Sequence, residues 1–253
     1  LRARVLVDGW EKGASEHQKK EATIAAAGAD LPIDALGSGS DFTPFLQFLG
    51  ITTLSVEYGD EDDQGGVYHS NYDSYDHYVR FGDPGFAYGI AEAQTVGHVV
   101  LRVADADVLP MQFGSFADTI DEYVTELHDL ADHKRKSALE LGKLLDQNAF
   151  ALATDPTRPI LAPERDPEVP YLDFAALDNV LVRLKKSAKA YDDRYTHAVA
   201  SASRLSQDKS RQLNDLLRGL EATLTNPRGL PGREWYKHLI YAPGFYTGYG
   251  AKT

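Results

Sequence analysis

Apolar residues recur at helical spacing along the second half of the chain. Three runs place them three or four positions apart, which is typical of amphipathic helices. Ser115 is a candidate cap for the first run, a proline-rich connector from Asp155 to Pro170 precedes the second, and Asn226-Pro227 ends the third. Their apolar positions are Phe116, Ile120, Tyr123, Val124, Leu127, Leu130 and Ala131; Phe174, Leu177, Val180, Leu181, Leu184, Ala188, Tyr191 and Tyr195; and Leu213, Leu216, Leu217, Leu220 and Leu224. We expect the three helices to pack as a bundle.

Residues 1 to about 110 mix short β-type runs with helices and loops. Residues 51–58 are rich in β-branched and aromatic side chains, which predicts a strand. Before them, Asp41 is a candidate cap for a helix that Gly50 ends. A further helix is predicted from Tyr88 to Ala104. Because a helix, a glycine break and a strand follow one another, the pattern indicates an α/β unit.

The chain has 253 residues and a formal net charge of −12 at pH 7. This acidic balance argues against binding to nucleic acid or to an anionic membrane, because both need a concentrated basic surface. No apolar run reaches membrane-spanning length, and the first residues lack the basic-then-apolar layout of a signal peptide. The start has no Met and is typical of a position inside a longer chain. The absence of cysteine excludes disulfides and leaves the compartment undetermined.

Residues 67–76, VYHSNYDSYD, place one histidine among tyrosines and carboxylates. A metal-ligating imidazole needs one nitrogen for the metal and an acceptor at the other, and Asp73 or Asp76 could supply that acceptor. The other histidines show no paired ligand spacing, and neither a His-Glu-x-x-His motif nor a cysteine is present. Spacing alone therefore favours an ordinary hydrogen-bonded histidine at His69 over a zinc ligand.

Six sequence blocks in fixed order give a more specific signal. They are LGSGSDFTPFLQFLGI from Leu36, YHSNYDSY from Tyr68, DPGF from Asp83, VLP from Val108, GLPGR from Gly229 and YKHLIYAP from Tyr236. In sequence and in order these blocks resemble segments of the glutamate carboxypeptidase II family of co-catalytic zinc peptidases. Since they extend from residue 36 to residue 243, the resemblance covers most of the chain.

The resemblance implies a fold with two parts. Residues 1–112 resemble the C-terminal part of a zinc-exopeptidase α/β domain, and residues 113–253 resemble the all-α transferrin receptor-like dimerisation bundle. The implied assembly is a homodimer with a two-fold interface. The alternative is a bundle that only covers its own peptidase domain. The implied compartment is extracellular or periplasmic.

The resemblance also implies a catalytic pair. His69 matches a histidine ligand of one of two zinc ions, and Tyr68 matches a tyrosine whose hydroxyl donates to the oxyanion of the tetrahedral intermediate. The implied reaction is hydrolysis of a short peptide by a zinc-bound hydroxide, either from the carboxyl or from the amino terminus. The glutamate that would act as general base is not in this sequence.

Substrate-binding positions follow in the same way. Ser38, Gly39 and Ser40 match a loop that lines the substrate cleft, and Tyr249 matches a tyrosine that holds the carboxylate of the substrate. The basic residues with which members bind acidic side chains fall at Ser55, Glu57 and Gly248. None of these three residues is basic, so a preference for glutamate is not expected.

The remaining zinc ligands of the family precede the segment where this sequence begins. One histidine cannot hold a two-zinc site, since zinc needs three or four protein ligands. We therefore expect the chain to be the C-terminal part of a longer enzyme and to be inactive alone. The alternative is a non-catalytic, receptor-like or scaffold homodimer of the same fold. The Tyr68-His69 pair favours the enzyme.

Overall fold

The computed structural model describes residues 6–7, 9–10, 12–28, 35–37, 39–58, 67–153, 155, 157–158, 161–201 and 205–243. These residues fall into two compact units. The first takes the described residues of Leu1–Met111 and Arg204–Thr253, and the second takes those of Gln112–Ser203. Ser38, Gly248 and Tyr249 lie outside the described residues. The domain boundary expected between residues 112 and 113 stays a prediction.

Helices dominate the described residues. The principal α-helices are α1 (Glu16–Ala26), α2 (Ala87–Ala104), α3 (Gly114–Asp146), α4 (Ala149–Ala153), α5 (Ala175–Ala200) and α6 (Gln207–Gly219). Two π-helices at Pro44–Leu49 and Tyr78–Gly82, a helical turn at Tyr75–His77 and a 3₁₀-helix at Glu221–Leu224 accompany them. Within these ranges no helix is long and apolar enough to cross a membrane.

The second unit is built on the pairing of α3 with α5. Small and medium apolar side chains fill the contact, and those buried are Ala117, Val124, Ala131, Leu181 and Ala188. The helical periodicity of both runs is thus confirmed. The prediction that Ser115 caps α3 is wrong, because the N-cap is Phe113 and its side chain makes no capping bond. A carboxylate from α5 accepts the first amides instead.

In the first unit, the π-helix Pro44–Leu49 starts at a proline and stops at Gly50. Gly50 has φ 65°, a left-handed conformation that ends a helix readily, so the predicted stop is confirmed. The predicted cap is wrong, since the N-cap is Thr43 rather than Asp41 and the side chain of Thr43 makes no capping bond. A Cβ at position 50 would lie 2.7 Å from Cγ2 of Thr225, so only glycine allows this close approach.

The third predicted helix of the bundle, α6, belongs to the first unit. Asn214 explains this placement, because its side chain accepts the amide of Leu109 at 2.9 Å and donates to the carbonyl of Asp107 at 3.2 Å. Leu109 and Leu217 are both buried in this unit. The three helices expected to form one bundle are therefore divided between the units. Two of them pair in the second unit, and the third belongs to the first unit, where Asn214 bonds it to residues 107 and 109.

The strand predicted at residues 51–58 forms no ladder with any described residue. Within the described ranges, β-pairing is limited to isolated bridges, which are Asp155–Arg158, Thr225–His238 and Leu230–Arg233. An extended segment becomes a strand only when a neighbouring backbone takes its hydrogen bonds, and no such partner lies among the described residues. The described residues are mainly helical, and they do not show the α/β part of the expected fold.

The predicted helix from Tyr88 to Ala104 is confirmed as α2, yet none of its residues is buried. Apolar side chains such as Val100 and Leu101 are 58% and 66% exposed. Tyr58 reaches the helix from the 51–58 segment, where its hydroxyl lies 3.0 Å from Oγ1 of Thr95. This helix therefore presents an apolar surface that the described residues leave uncovered.

Candidate functional site

Tyr68 and His69 lie on a tight turn that the neighbouring serine stabilises. The amide and the hydroxyl of Ser70 both donate to the carbonyl of Val67, at 3.0 and 2.6 Å. The same hydroxyl accepts the amide of Tyr72 at 3.1 Å. A side chain that bonds its own backbone in this way competes with helix and strand and favours a turn. The rings of Tyr68 and His69 therefore lie on a turn rather than on a helix or a strand.

His69 has φ 58°, in the left-handed region that non-glycine residues seldom adopt. Its imidazole stacks on the phenol of Tyr68, with the ring centroids 3.8 Å apart and the planes inclined by 21°. Backbone strain of this kind persists where the surroundings enforce it, and it is common at functional sites. The turn and the stacking together fix the two side chains as a pair.

The pair faces solvent. Tyr68 is 66% exposed and His69 is also exposed. Among the described residues, neither Asp73 nor Asp76 hydrogen-bonds the imidazole, so the predicted acceptor for the ring is not found there. No group of three or more histidine, cysteine, aspartate or glutamate side chains within the described ranges is arranged to hold a metal ion. His69 can serve as one ligand, and the described residues do not complete a zinc site.

A buried carboxylate that the sequence did not single out, Asp83, connects the segment after the candidate pair to the start of α2. Asp83 is 4% exposed and accepts the amide of Gly89 at 3.0 Å and the hydroxyl of Tyr78 at 3.3 Å. Burial opposes its ionisation, but these bonds and those from the amides of Tyr88 and Ala87 lower the pKa of Asp83. The charge of Asp83 thus caps the start of α2. Asp83 lies three residues before the N-cap Phe86, so the preference for aspartate at the N-cap position does not single it out in the DPGF block.

The same carboxylate has the opposite effect on its phenolic neighbour. Burial and the nearby charge of Asp83 both raise the pKa of Tyr78. Tyr78 therefore stays protonated and acts as a hydrogen-bond donor. The two side chains join the π-helix Tyr78–Gly82 to α2, directly after the segment that carries the candidate pair.

The candidate cleft loop is described only in part. Gly39 has φ 92°, which favours glycine, and the carbonyl of Ser40 accepts the amide of Thr43 at 3.1 Å. Ser40 is exposed, as are Ser55 and Glu57. The structure thus places a glycine-enabled turn just before the π-helix Pro44–Leu49. It does not bring Tyr249 or Ser38 into view, because they lie outside the described residues.

Comparison with known proteins adds the family. Residues 172–253 match the transferrin receptor-like dimerisation domain. Over 219 residues, which is 86% of this chain, the sequence is 32% identical to the protein named Probable glutamate carboxypeptidase LAMP1 from Arabidopsis thaliana. It is 28% identical over 213 residues, 82% of this chain, to Aminopeptidase NAALADL1 from Rattus norvegicus. The aligned parts amount to 25% and 24% of the two relatives, so the chain spans about a quarter of their length.

The chain is a relative of the glutamate carboxypeptidase II-like peptidases. The resemblance inferred from the six blocks is thereby confirmed. Similarity to these peptidases does not establish that a protein is catalytically active, however. The protein named Inactive zinc metalloprotease C354.09c from Schizosaccharomyces pombe is 29% identical over 155 residues, covering 53% of this chain and 19% of that protein. Activity in this glutamate carboxypeptidase II-like chain must therefore be argued from its residues.

Proposed function

We propose that the intact protein is a zinc-dependent exopeptidase and that Tyr68 and His69 belong to its active site. The observation that carries this proposal is the stacked, solvent-facing pair on a strained turn. A phenol hydroxyl next to an imidazole supplies a hydrogen-bond donor and a metal ligand at one place. An imidazole can hold a catalytic metal ion, and a phenol hydroxyl can stabilise the oxyanion that forms during hydrolysis of a peptide bond.

In this proposal His69 gives one ring nitrogen to zinc. Its ring faces solvent and no described residue bonds it, so a nitrogen lone pair is free for a metal. The remaining ligands, for two zinc ions, come from sequence outside this chain, as does the general base. Bound zinc supplies an activated water at neutral pH. The chain by itself is accordingly inactive.

Tyr68 donates a hydrogen bond to the oxygen that becomes negative during hydrolysis. A donor fixed before the reaction stabilises this charge without reorganising in the transition state. The stacking on His69 holds the phenol ring, so its hydroxyl has a defined direction relative to the imidazole. Tyr68 thus acts on the substrate oxygen and takes no part in holding the metal.

The substrate is a short peptide that binds against Ser38, Gly39, Ser40 and Tyr249. Binding an acidic side chain calls for an arginine fork or an ammonium group. The exposed side chains at Ser55 and Glu57 offer neither, and the carboxylate of Glu57 repels a second acid. We infer that the enzyme prefers peptides without an acidic residue at this position. Carboxypeptidase and aminopeptidase action both remain compatible with these residues.

We infer further that residues 1–112 form part of an α/β domain. Support comes from the uncovered apolar residues of α2 and from the β-type segment 51–58, which has no ladder partner among the described residues. Such surfaces are stable when a sheet and further helices cover them. The relatives, about four times as long, contain ample sequence for this purpose.

The second part of the chain, residues 113–253, is proposed to mediate homodimerisation. The match of residues 172–253 to a dimerisation domain supports this, and so do exposed apolar side chains on α5 such as Val180 and Val182. Light scattering on the intact protein tests the proposal. The expected mass is twice that of one subunit, and a strictly monomeric protein over the micromolar range contradicts it.

Metal analysis combined with anomalous scattering at the zinc edge tests the enzyme proposal. Crystals of the natively purified intact protein should show two neighbouring zinc peaks, one next to a ring nitrogen of His69. Hydrolysis of a panel of dipeptides and tripeptides should then depend on zinc. If the fold is intact and no metal lies near His69, the enzyme proposal is wrong. A non-catalytic, receptor-like or scaffold homodimer of the same fold would then account for the chain.

A further inference from the structure

Two large polar side chains, Gln47 and His238, are the most completely buried large residues among those described. Each is 0% exposed. Buried polar groups destabilise a fold unless their hydrogen bonds are remade inside the protein. Neither residue belongs to the candidate pair, so their burial needs its own explanation.

His238 is fully satisfied by its neighbours. Its Nδ1 accepts the amides of Ile240 and Tyr241 at 3.1 and 3.0 Å, so the ring proton resides on Nε2. Nε2 donates to Oε1 of Glu221 at 2.9 Å, and Oε2 of the same carboxylate accepts the hydroxyl of Thr52 at 3.2 Å. The imidazole thus locks its own turn against the 3₁₀-helix Glu221–Leu224.

The backbone of the same turn holds Gln47. The amides of Lys237 and His238 both donate to the carbonyl of Gln47, at 2.8 and 3.1 Å. The ammonium of Lys237 also lies 3.7 Å from the ring centroid of Phe48, a cation–π contact. The π-helix residue Gln47 is therefore fixed from the C-terminal side by a turn that His238 stiffens.

The side chain of Gln47 points the other way, to the Gly-Ser loop at residues 37–40. Its Nε2 donates to the carbonyl of Gly37, while its Oε1 is buried and has no hydrogen-bond partner among the described residues. An apolar side chain of equal length would fill the same space without an unsatisfied oxygen. Burying the amide of Gln47 therefore costs stability compared with burying an apolar side chain. What the amide adds in return is the hydrogen bond to Gly37 in the loop.

We propose that Gln47 is a positioning residue that holds the Gly-Ser loop in its substrate-binding conformation. This inference rests on the proposed function, because it takes the loop as part of the peptide-binding cleft. Gln47 touches no reacting atom. It acts through Gly37, the residue next to Ser38, Gly39 and Ser40. Since the loop contacts bound peptide before and during the reaction alike, loss of the anchor weakens binding and leaves the chemical step unchanged.

The test compares Gln47→Met with Leu46→Met in the intact protein. Methionine nearly matches glutamine in length and volume, and it removes both the loop bond and the unsatisfied oxygen. Leu46 is the neighbouring buried residue, 5% exposed, and it makes no side-chain bond to the loop. With the peptide that the wild type hydrolyses fastest, Gln47→Met should raise KM about tenfold with kcat nearly unchanged, whereas Leu46→Met should change neither.

Hydrogen exchange supplies a measurement that needs no activity. Amides of residues 36–43 should exchange faster in Gln47→Met than in Leu46→Met, while those of α6 should not differ. If Gln47→Met does not fold, Gln47→Asn replaces it, because asparagine keeps the amide but draws it back by one carbon and should show the same rise in KM.

The outcomes separate the two proposals. An inactive wild type overturns the proposed function, and loop exchange then still decides whether Gln47 holds the loop. An active wild type with equal KM values for the two methionine variants overturns the positioning role. A parallel loss of kcat and stability in both variants also overturns it, because that result indicates a purely structural role.

Discussion

The carboxylate of Asp192 on α5 accepts the backbone amide of Gly114 at 2.7 Å, and its other oxygen accepts the amide of Phe113 at 2.9 Å. One side chain therefore satisfies two free amides at the start of α3, from a position 78 residues later in the chain. A Cβ at Gly114 would lie 2.9 Å from Oδ2 of Asp192, so the glycine leaves room for the carboxylate. This contact joins the two long helices of the second unit at one end.

Replacing Asp192 by alanine should lower the free energy of unfolding by about 1 kcal/mol, the usual effect of losing a helix cap. Chemical denaturation monitored by helical circular dichroism measures it. Asp193→Ala is the matched control, because Asp193 is exposed and its ion pair among the described residues is with Lys189 at 3.2 Å. Its effect should stay within about 0.5 kcal/mol. Equal effects of the two substitutions would contradict the capping role.

Asp83 should make the first unit sensitive to acid. Its pKa is lowered in the folded protein, so its stabilisation is complete above the ordinary aspartate pKa. It is lost as the pH falls through the lower, folded value. Asp83→Asn should melt at a lower temperature than wild type at neutral pH, and the difference should shrink as the pH falls below the ordinary aspartate pKa. Asp73→Asn, an exposed control from the neighbouring turn, should follow the wild type throughout.

Gly229→Ala and Gly232→Ala should separate a steric clash from backbone strain. Both glycines have left-handed φ angles, 74° and 70°. A Cβ at Gly229 would lie 2.0 Å from the carbonyl oxygen of Glu234, whereas a Cβ at Gly232 would have no atom of a described residue within 4 Å. Gly232→Ala should therefore cost only about 1 kcal/mol of unfolding free energy, for the strained φ. Gly229→Ala should cost clearly more in the same denaturant titration, and similar losses would contradict the close approach.

Substitutions in the candidate pair should have different effects on metal and on rate in the intact enzyme. Tyr68→Phe should keep the zinc content and lower kcat by roughly 10²- to 10³-fold, because it removes one donor to the oxyanion. His69→Ala should lose zinc as well as activity. Tyr72, in the same turn, is 72% exposed, and removing its hydroxyl in Tyr72→Phe should affect neither zinc content nor rate. Elemental analysis and peptide hydrolysis provide the measurements, and full activity of Tyr68→Phe would exclude its proposed role.

Helix positions were predictable from the sequence, because periodicity is a local property. The helix predicted from Tyr88 to Ala104 is observed at Ala87–Ala104, and the glycine stop at Gly50 is also as predicted. The caps were not predictable. Ser115 and Asp41 fit the local pattern for a cap. At α3, however, the carboxylate of Asp192 on α5 accepts the first amides, and such a contact exists only after the chain has folded.

The candidate site was predicted in part for the same reason. Its residues could be chosen from the order of the sequence blocks, and the structure adds the left-handed backbone of His69 and its stacking on Tyr68. Neither property is encoded by spacing. The buried bond from Gln47 to Gly37 spans ten residues and depends on a π-helix, which periodicity does not reveal. The prediction of a strand at residues 51–58 is wrong for the described residues, because a strand needs a neighbouring backbone to pair with as well as residues of high β-propensity.

The uncovered helix α2 has a consequence for how the separated chain behaves in solution. Apolar side chains such as Val100 and Leu101 are exposed to those of other molecules, and contacts that lack a two-fold arrangement do not close at two copies. The average mass of the separated chain should then keep growing with concentration and with added sulfate, which strengthens apolar contacts. A two-fold dimer instead reaches a plateau at two copies. A plot of average mass against concentration therefore distinguishes open-ended association through α2 from two-fold dimerisation.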